Sequence, residues 1–279
     1  SISAFCNAGF DLMGTKSPYS SLTSYAAHPV VNITIMLLII IGGIGFLTWQ
    51  DIRQNGIHIR RYRMQSKVIL ATTGILLIVP AVYFFFFEFS AEPMGRRILL
   101  SAFQSVTPRT AGFNTADLTA LSETGQTLTI GLMLIGGSPG STAGGAKTTT
   151  MLVLLLLAAS ILRREDDVHV LGRRLPNDLM RRACSIVIVY VTFALTAALM
   201  ICSAQPQLPL TDVLLEVFSA INTVGMSTGI TRELNVFSRL IIIVLMYMGR
   251  LGSLTFALLI ARSPAPSPLR CPEDRILIG

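Results

Sequence analysis

The sequence predicts an all-α membrane protein in which short apolar hairpins recur between longer spans. Three observations carry that prediction. Of 279 residues, 52% are hydrophobic and only 13% are charged, with a mean hydropathy of +0.64. A soluble domain carries about 25% charged residues, so this composition leaves too little polar surface for a water-soluble globule and excludes a disordered chain. Five stretches, 29–49, 68–90, 125–160, 183–204 and 237–262, are apolar over roughly the 20 residues that a spanning helix needs. Three short segments of one pattern lie between or before those spans.

The loops set the orientation. The segment 50–67 carries Arg53, Arg60, Arg61, Arg63 and Lys67, and the segment 163–182 carries six arginines. The segment 205–211 has no Lys or Arg, and 91–97 has only Arg96 and Arg97. Basic loops stay on the cytoplasmic side, which places 50–67, 163–182 and the tail after 262 inside. The net charge of +7 therefore belongs to topology and not to nucleic-acid binding. Cys6, Cys184, Cys202 and Cys271 have no metal-ligand or redox spacing, and His28, His58 and His169 lie far apart. The chain opens at Ser1 on an already apolar run, as a piece of a longer protein would.

The three segments all fall on the outer side. They are Ser3-Ala-Phe-Cys-Asn-Ala-Gly-Phe10, then Ser101 to Phe113, then Ser219-Ala-Ile-Asn-Thr-Val-Gly-Met226. Each begins Ser-Ala-apolar and reaches a turn that ends in one glycine. Gly9, Gly112 and Gly225 are 103 and 113 residues apart, and self-similarity at such a period is an architectural signal. The apolar stretches before the turns, Ile98 to Val106 and Val213 to Ile221, are too short to span and fit re-entrant helices. Irregular backbone at membrane depth is tolerated only where it is buried or lines water. Carbonyls freed at such a turn suit a dehydrated cation, and glycine supplies the φ values that align them.

At these residues the chain resembles the Trk/Ktr/HKT superfamily of potassium transporters, most closely the Ktr membrane subunit of bacteria. Asn7-Ala8-Gly9, Thr110-Ala111-Gly112 and Thr223-Val224-Gly225 look like its second, third and fourth filter sequences. The tail from Pro272 to Gly279 is similar to that subunit's end. The resemblance implies helix–pore loop–helix repeats around a pseudo-fourfold pore, about three of the four present here. They divide as 1–67 for the second repeat without its start, 68–182 for the third and 183–279 for the fourth. It further implies K+ bound at filter carbonyls as substrate, Na+ as a coupling ion, no cofactor and no enzymatic activity. It also implies a homodimer, a cytosolic nucleotide-binding regulatory ring, and a multi-pass place in the bacterial inner membrane. Three quarters of a ring do not enclose an ion, so the missing repeat is expected for a working pore. The chain departs from the family at Met226, where Leu is expected, and at Ser253, where Pro is expected.

The third span is broken at its middle by Gly136-Gly137-Ser138-Pro139-Gly140-Ser141-Thr142-Ala143-Gly144-Gly145-Ala146-Lys147. Gly costs about 1 kcal/mol and Pro about 3 kcal/mol inside a helix, so no helix continues through. The stretch reads as a kink around tight packing or as a gating loop below the filter, and the resemblance favours the gate. The spacing of Gly140, Gly145 and Lys147 misses a phosphate loop because Ala146 intervenes. The last span carries Arg250 between apolar runs. A mid-span arginine costs about 2.5–3.5 kcal/mol on insertion scales, so Arg250 is expected to face the interior or water as part of the gate, or else to snorkel from a helix end.

Overall fold

The computed structural model describes residues 1–13, 20–165 and 167–251. Ten α-helices run in order among them: α1 Ile2–Phe5, α2 Pro29–Gly43, α3 Phe46–Asn55, α4 Met64–Tyr83, α5 Met94–Val106, α6 Glu123–Leu134, α7 Thr148–Leu162, α8 Asn177–Ala204, α9 Leu210–Ile221 and α10 Val236–Leu251. A two-residue ribbon, β1 His169–Val170 with β2 Arg173–Arg174, is the only strand pairing among the described residues. It lies in the basic loop between α7 and α8.

The first apolar stretch is not one straight span. Pro29 opens α2 at a position where its missing N–H is not needed. The helix stops at Gly43, and α3 leaves at 97°. Gly45 makes the turn at φ 90, in the region that glycine enters without steric cost. At 15 residues α2 rises about 22 Å, short of a bilayer core of about 30 Å. The expected spans 68–90 and 183–204 appear as continuous helical segments, Met64–Glu88 and Asn177–Ala204, the two among the described residues that are long and apolar enough to cross. The expected span 125–160 is broken, and 237–262 is described only to Leu251. Ser253, Cys271 and the tail lie outside the described residues.

Pro80 sits inside α4. It has no N–H for the carbonyl four residues back, and the hydroxyl of Ser105 on α5 reaches that region, 2.6 Å from the Leu77 oxygen and 3.3 Å from that of Leu76. The proline frees the Leu76 carbonyl, and beside it the Ser105 hydroxyl fixes the short helix α5 to α4. α4 then widens into a π-helical turn, Phe84–Glu88. Arg97 of α5 donates from Nε to the Phe85 carbonyl at 2.7 Å and lies 4.0 Å over its ring. Glu88 accepts from the backbone and hydroxyl of Ser122, and Ser122 caps α6 through Gly125 N–H.

Asp51 joins α3 to α4. Its carboxylate is 2% exposed, accepts from Ser66 Oγ at 2.6 Å and Arg63 N at 3.0 Å, and lies 3.5 Å from Arg63 Nε. The cores are apolar and interlock. Ala194, Ala197 and Ala198 of α8 admit Val213, Val217 and Ile221 of α9 against them, a close approach that small residues permit. Phe103 and Val106 of α5 pack with Ala4, Ile39 and Ala111. Met226, the departure from the expected Leu, is fully enclosed with Leu215 and Val224. Apolar side chains such as Ile75, Ile78, Phe86, Phe87, Leu199 and Ile243 face outward, as a lipid-facing surface requires.

Candidate functional site

Three turns share one backbone conformation. Asn7, Thr110 and Thr223 have φ of 49, 72 and 55, and the glycines two residues later, Gly9, Gly112 and Gly225, have φ of 72, 77 and 89. A left-handed conformation costs a non-glycine residue about 1–2 kcal/mol. Its appearance at three polar positions of the same spacing marks a shape imposed by the surrounding packing. The turns hang from the short helices α1, α5 and α9. Ala8 N–H donates to the Ser3 carbonyl at 2.9 Å, and Val224 N–H to that of Ser219 at 2.8 Å. Thr107 Oγ1 donates to the Phe113 carbonyl at 2.6 Å, and Gly225 N–H to Ser219 Oγ at 3.1 Å.

The turns also lie together. A Cβ built on Gly9 would stand 2.7 Å from the Ala111 oxygen and 3.5 Å from that of Val224, and one on Gly112 would strike the Val224 oxygen. The three glycines line one cavity of about 680 Å³, open to solvent, with Asp11, Asn114 and Ser227. Peptide oxygens of Ala111 and Val224 thus converge where no side chain intrudes. Backbone oxygens in such a cluster can replace water around a cation, and among the described residues no group of three His, Cys, Asp or Glu side chains gathers to hold a metal instead.

The break between α6 and α7 sits directly against these turns. Ile135 and Ala146 form an isolated bridge, with Gly136 N–H donating to the Ala146 carbonyl at 2.8 Å. Thr142 Oγ1 lies 3.0 Å from the Phe5 carbonyl and 3.2 Å from that of Gly42, and accepts from Asn7 Nδ2 at 3.2 Å. On the opposite side a Cβ on Gly144 would strike Thr223, and one on Gly145 would stand 3.0 Å from Asn222 Oδ1. Lys147 folds back, its Nζ donating to the Ala143 carbonyl at 2.7 Å. Ser138 is wholly buried and receives Thr148 Oγ1 at 3.3 Å.

Two breaks close on each other here. Ser138 N–H donates to the Gly43 carbonyl at 3.0 Å, Thr142 N–H to that of Gly42 at 3.4 Å, and Phe46 N–H to that of Gly140 at 3.0 Å. The bend between α2 and α3 and the break between α6 and α7 therefore satisfy each other's backbone. The expected loop is non-helical from Gly136 to Lys147, and it is well hydrogen-bonded.

Arg250 is exposed on the last turn of α10, near enough to Lys147 for the two positive charges to repel. Gly249 before it packs on the Ile221 carbonyl so tightly that a Cβ would strike that oxygen. The sequence singles out Arg250 and Lys147 as the polar groups within the spans. The structure adds two it passes over, Arg109 and Glu216, each 7% exposed. Arg109, which immediately precedes the Thr110–Gly112 turn, lies beside Gly43 and Gly137. An Arg after the Pro of a re-entrant turn and a Glu within an apolar ten-residue run are the signals that could have found them.

This arrangement agrees with the comparisons. The model of the TrkH family, described as cation transport protein, matches residues 1–268. The chain is 36% identical to the potassium/sodium uptake protein NtpJ of Enterococcus hirae, aligned over all of this chain and 62% of that protein. It is 34% and 35% identical to Ktr system potassium uptake protein B of Vibrio alginolyticus and of Bacillus subtilis, over its whole length and 61% and 62% of theirs. The crystal structure of the potassium transporter TrkH from Vibrio parahaemolyticus shares the fold, at a TM-score of 0.73 and 20% identity over 93% of this chain and 56% of that one. The chain belongs to the TrkH family of cation transport proteins, a family of membrane transporters and not of enzymes. It spans about three fifths of the length of the curated relatives it matches.

Proposed function

We propose that this chain supplies three of the four quarters of the pore of a bacterial potassium uptake protein. The observation that carries the reading is the common left-handed geometry of Asn7–Gly9, Thr110–Gly112 and Thr223–Gly225 with the close approach of their glycines. The three units 1–67, 68–182 and 183–279 each contribute one filter turn. Dehydrated K+ passes at the carbonyls of those turns with no cofactor, and the stretch Gly136–Lys147, with Arg250, controls its passage. Membership of the family and the names of its relatives support cation transport. The words Ktr system in two of those names favour a subunit that works with other components. We take these to be a second copy of the chain and a cytosolic ring that binds nucleotide. The protein lies in the inner membrane, and Na+ serves as coupling ion.

A Na+-conducting pore is the second reading, favoured by the name potassium/sodium uptake protein of one relative. The complete protein, reconstituted in proteoliposomes, separates them. Uptake of Rb+ that exceeds uptake of Na+ is expected, and Na+ uptake without Rb+ uptake establishes the second reading. Gly112→Ala is expected to reduce Rb+ flux at least tenfold, because its Cβ would meet the Val224 carbonyl at a φ of 77. Flux at the wild-type level in that variant would remove the filter from these turns.

A further inference from the structure

A groove of about 480 Å³ lies on the lipid-facing flank between α2, α4 and α5. It follows α4 from Leu77 to Phe86, about 13 Å of helix rise. Ile78, Val82 and Phe86 in its lining are exposed. Among the described residues that line it only Ser101 is polar, and its hydroxyl already donates to the Arg97 carbonyl at 2.7 Å. The groove therefore offers a guest hydrocarbon contact and no free hydrogen bond.

A positive charge stands at one end. Arg97, next to Ile98 of the lining, lies 4.0 Å over the ring of Phe85, which lines the groove as well. The Phe85 carbonyl takes the Nε proton, one of five donors that a guanidinium carries. No ion pair among the described residues involves Arg97, whereas Arg96 beside it lies 3.4 Å from Glu92. Arg97 docks on the π-helical turn that ends the Met64–Glu88 span, the level at which a spanning helix meets the headgroups. At the other end Ile40 and Val106 line both the groove and the small cavity that holds Arg109 beside Gly43 and Gly137.

We propose that this groove binds one anionic phospholipid, its phosphate on Arg97 and one acyl chain along α4 toward Ile40 and Val106. A guanidinium takes phosphate oxygens in pairs, and the apolar lining takes the chain. A phosphocholine headgroup would set its own cation beside the guanidinium, so the charge selects an anionic lipid. A chain seated there backs Ile40 and Val106 from the bilayer side against Gly43, whose carbonyl accepts from Ser138 N–H. That bond joins the bend to the break, so the lipid steadies their pairing. This consequence, though not the binding itself, rests on the gating reading.

The test is native mass spectrometry of the complete protein, stripped of lipid in detergent and titrated with dioleoyl phosphatidylglycerol or dioleoyl phosphatidylcholine. The wild type is expected to bind one phosphatidylglycerol per chain at least tenfold more tightly than phosphatidylcholine. Ala102→Trp places an indole in the groove and is expected to weaken that first binding step at least tenfold. Arg97→Gln leaves the groove open and is expected to bring the two lipids to equal affinity, which decides the matter if Ala102→Trp fails to fold. No preference in the wild type, a preference that survives in Arg97→Gln, or an unchanged first step in folded Ala102→Trp would overturn the site. A dimer that parts in Ala102→Trp with lipid binding intact would give the groove to a second copy and overturn it too. Rb+ flux of the wild type is read separately and is expected to be lower in phosphatidylglycerol vesicles than in phosphatidylcholine ones. Flux indifferent to the lipid, with the binding preference intact, refutes the link to the gate and leaves the site.

Discussion

Thr142 is where the broken helix touches both the Asn7–Gly9 turn and the bend beside it. Its hydroxyl faces the Phe5 and Gly42 carbonyls and takes the Asn7 side-chain amide. Thr142→Val keeps the shape and removes these bonds, each worth about 1 kcal/mol net. The expected outcome is a several-fold rise in Rb+ uptake by the complete protein and a melting temperature a few degrees lower. A lowered melting temperature with unchanged uptake would reduce Thr142 to a structural role. The glycines of the three turns were readable from spacing, because glycine is what a left-handed turn demands. Thr142 was not, since one hydroxyl residue within a run of small residues carries no periodic signal. Asp51 likewise passed unnoticed among the basic residues of 50–67, where an acid reads as a solvated partner. Its burial against Ser66 depends on a helix pairing that local sequence does not encode.

At the scale of elements, the break at Gly136–Lys147 was legible because several glycines and a proline within a dozen residues cannot stay helical. The bend at Ile44–Gly45 was not. It lies in an apolar run with glycines that a straight span tolerates, and its cause is tertiary: Gly45 approaches the Pro139 carbonyl so closely that a Cβ would stand 2.6 Å from it. The short helices α5 and α9 were expected to begin at Ile98 and Val213 and begin at Met94 and Leu210, since their polar first turns blurred the apolar signal. Deletion of Gly136–Lys147 from the complete protein is expected to raise Rb+ flux severalfold if the stretch obstructs the pathway. Unchanged flux in a folded, reconstituted variant would show that it only packs the interior.

Over the whole molecule, the apolar composition places the chain in lipid, yet among the described residues the five apolar stretches yield two unbroken spans and several bent or short helices. Hydropathy counts residues and not directions, so it cannot separate a helix that crosses from one that turns at depth. Arg250 is near enough to Lys147 for the two positive charges to repel, and none of the ion pairs among the described residues involves either. Unpaired positive charge on a cation's route raises its barrier, by roughly 4 kcal/mol at 4 Å for an effective dielectric of 20. Arg250→Gln is expected to increase inward Rb+ flux and to weaken its dependence on the gating stretch, measured in proteoliposomes. Wild-type flux in that variant would remove Arg250 from control of passage.

The mutual pairing of the two breaks has a consequence for how such a pore could open. If the stretch leaves, as the proposed gating requires, the Gly42 and Gly43 carbonyls and the Phe46 amide lose these partners together, inside an oily wall. Bare peptide groups there are tolerable only if solvent arrives to replace what departs. Under that reading, parting of the two breaks and hydration of the space between them would be a single event, and the proposed conduit would be either sealed and dry or ajar and wet.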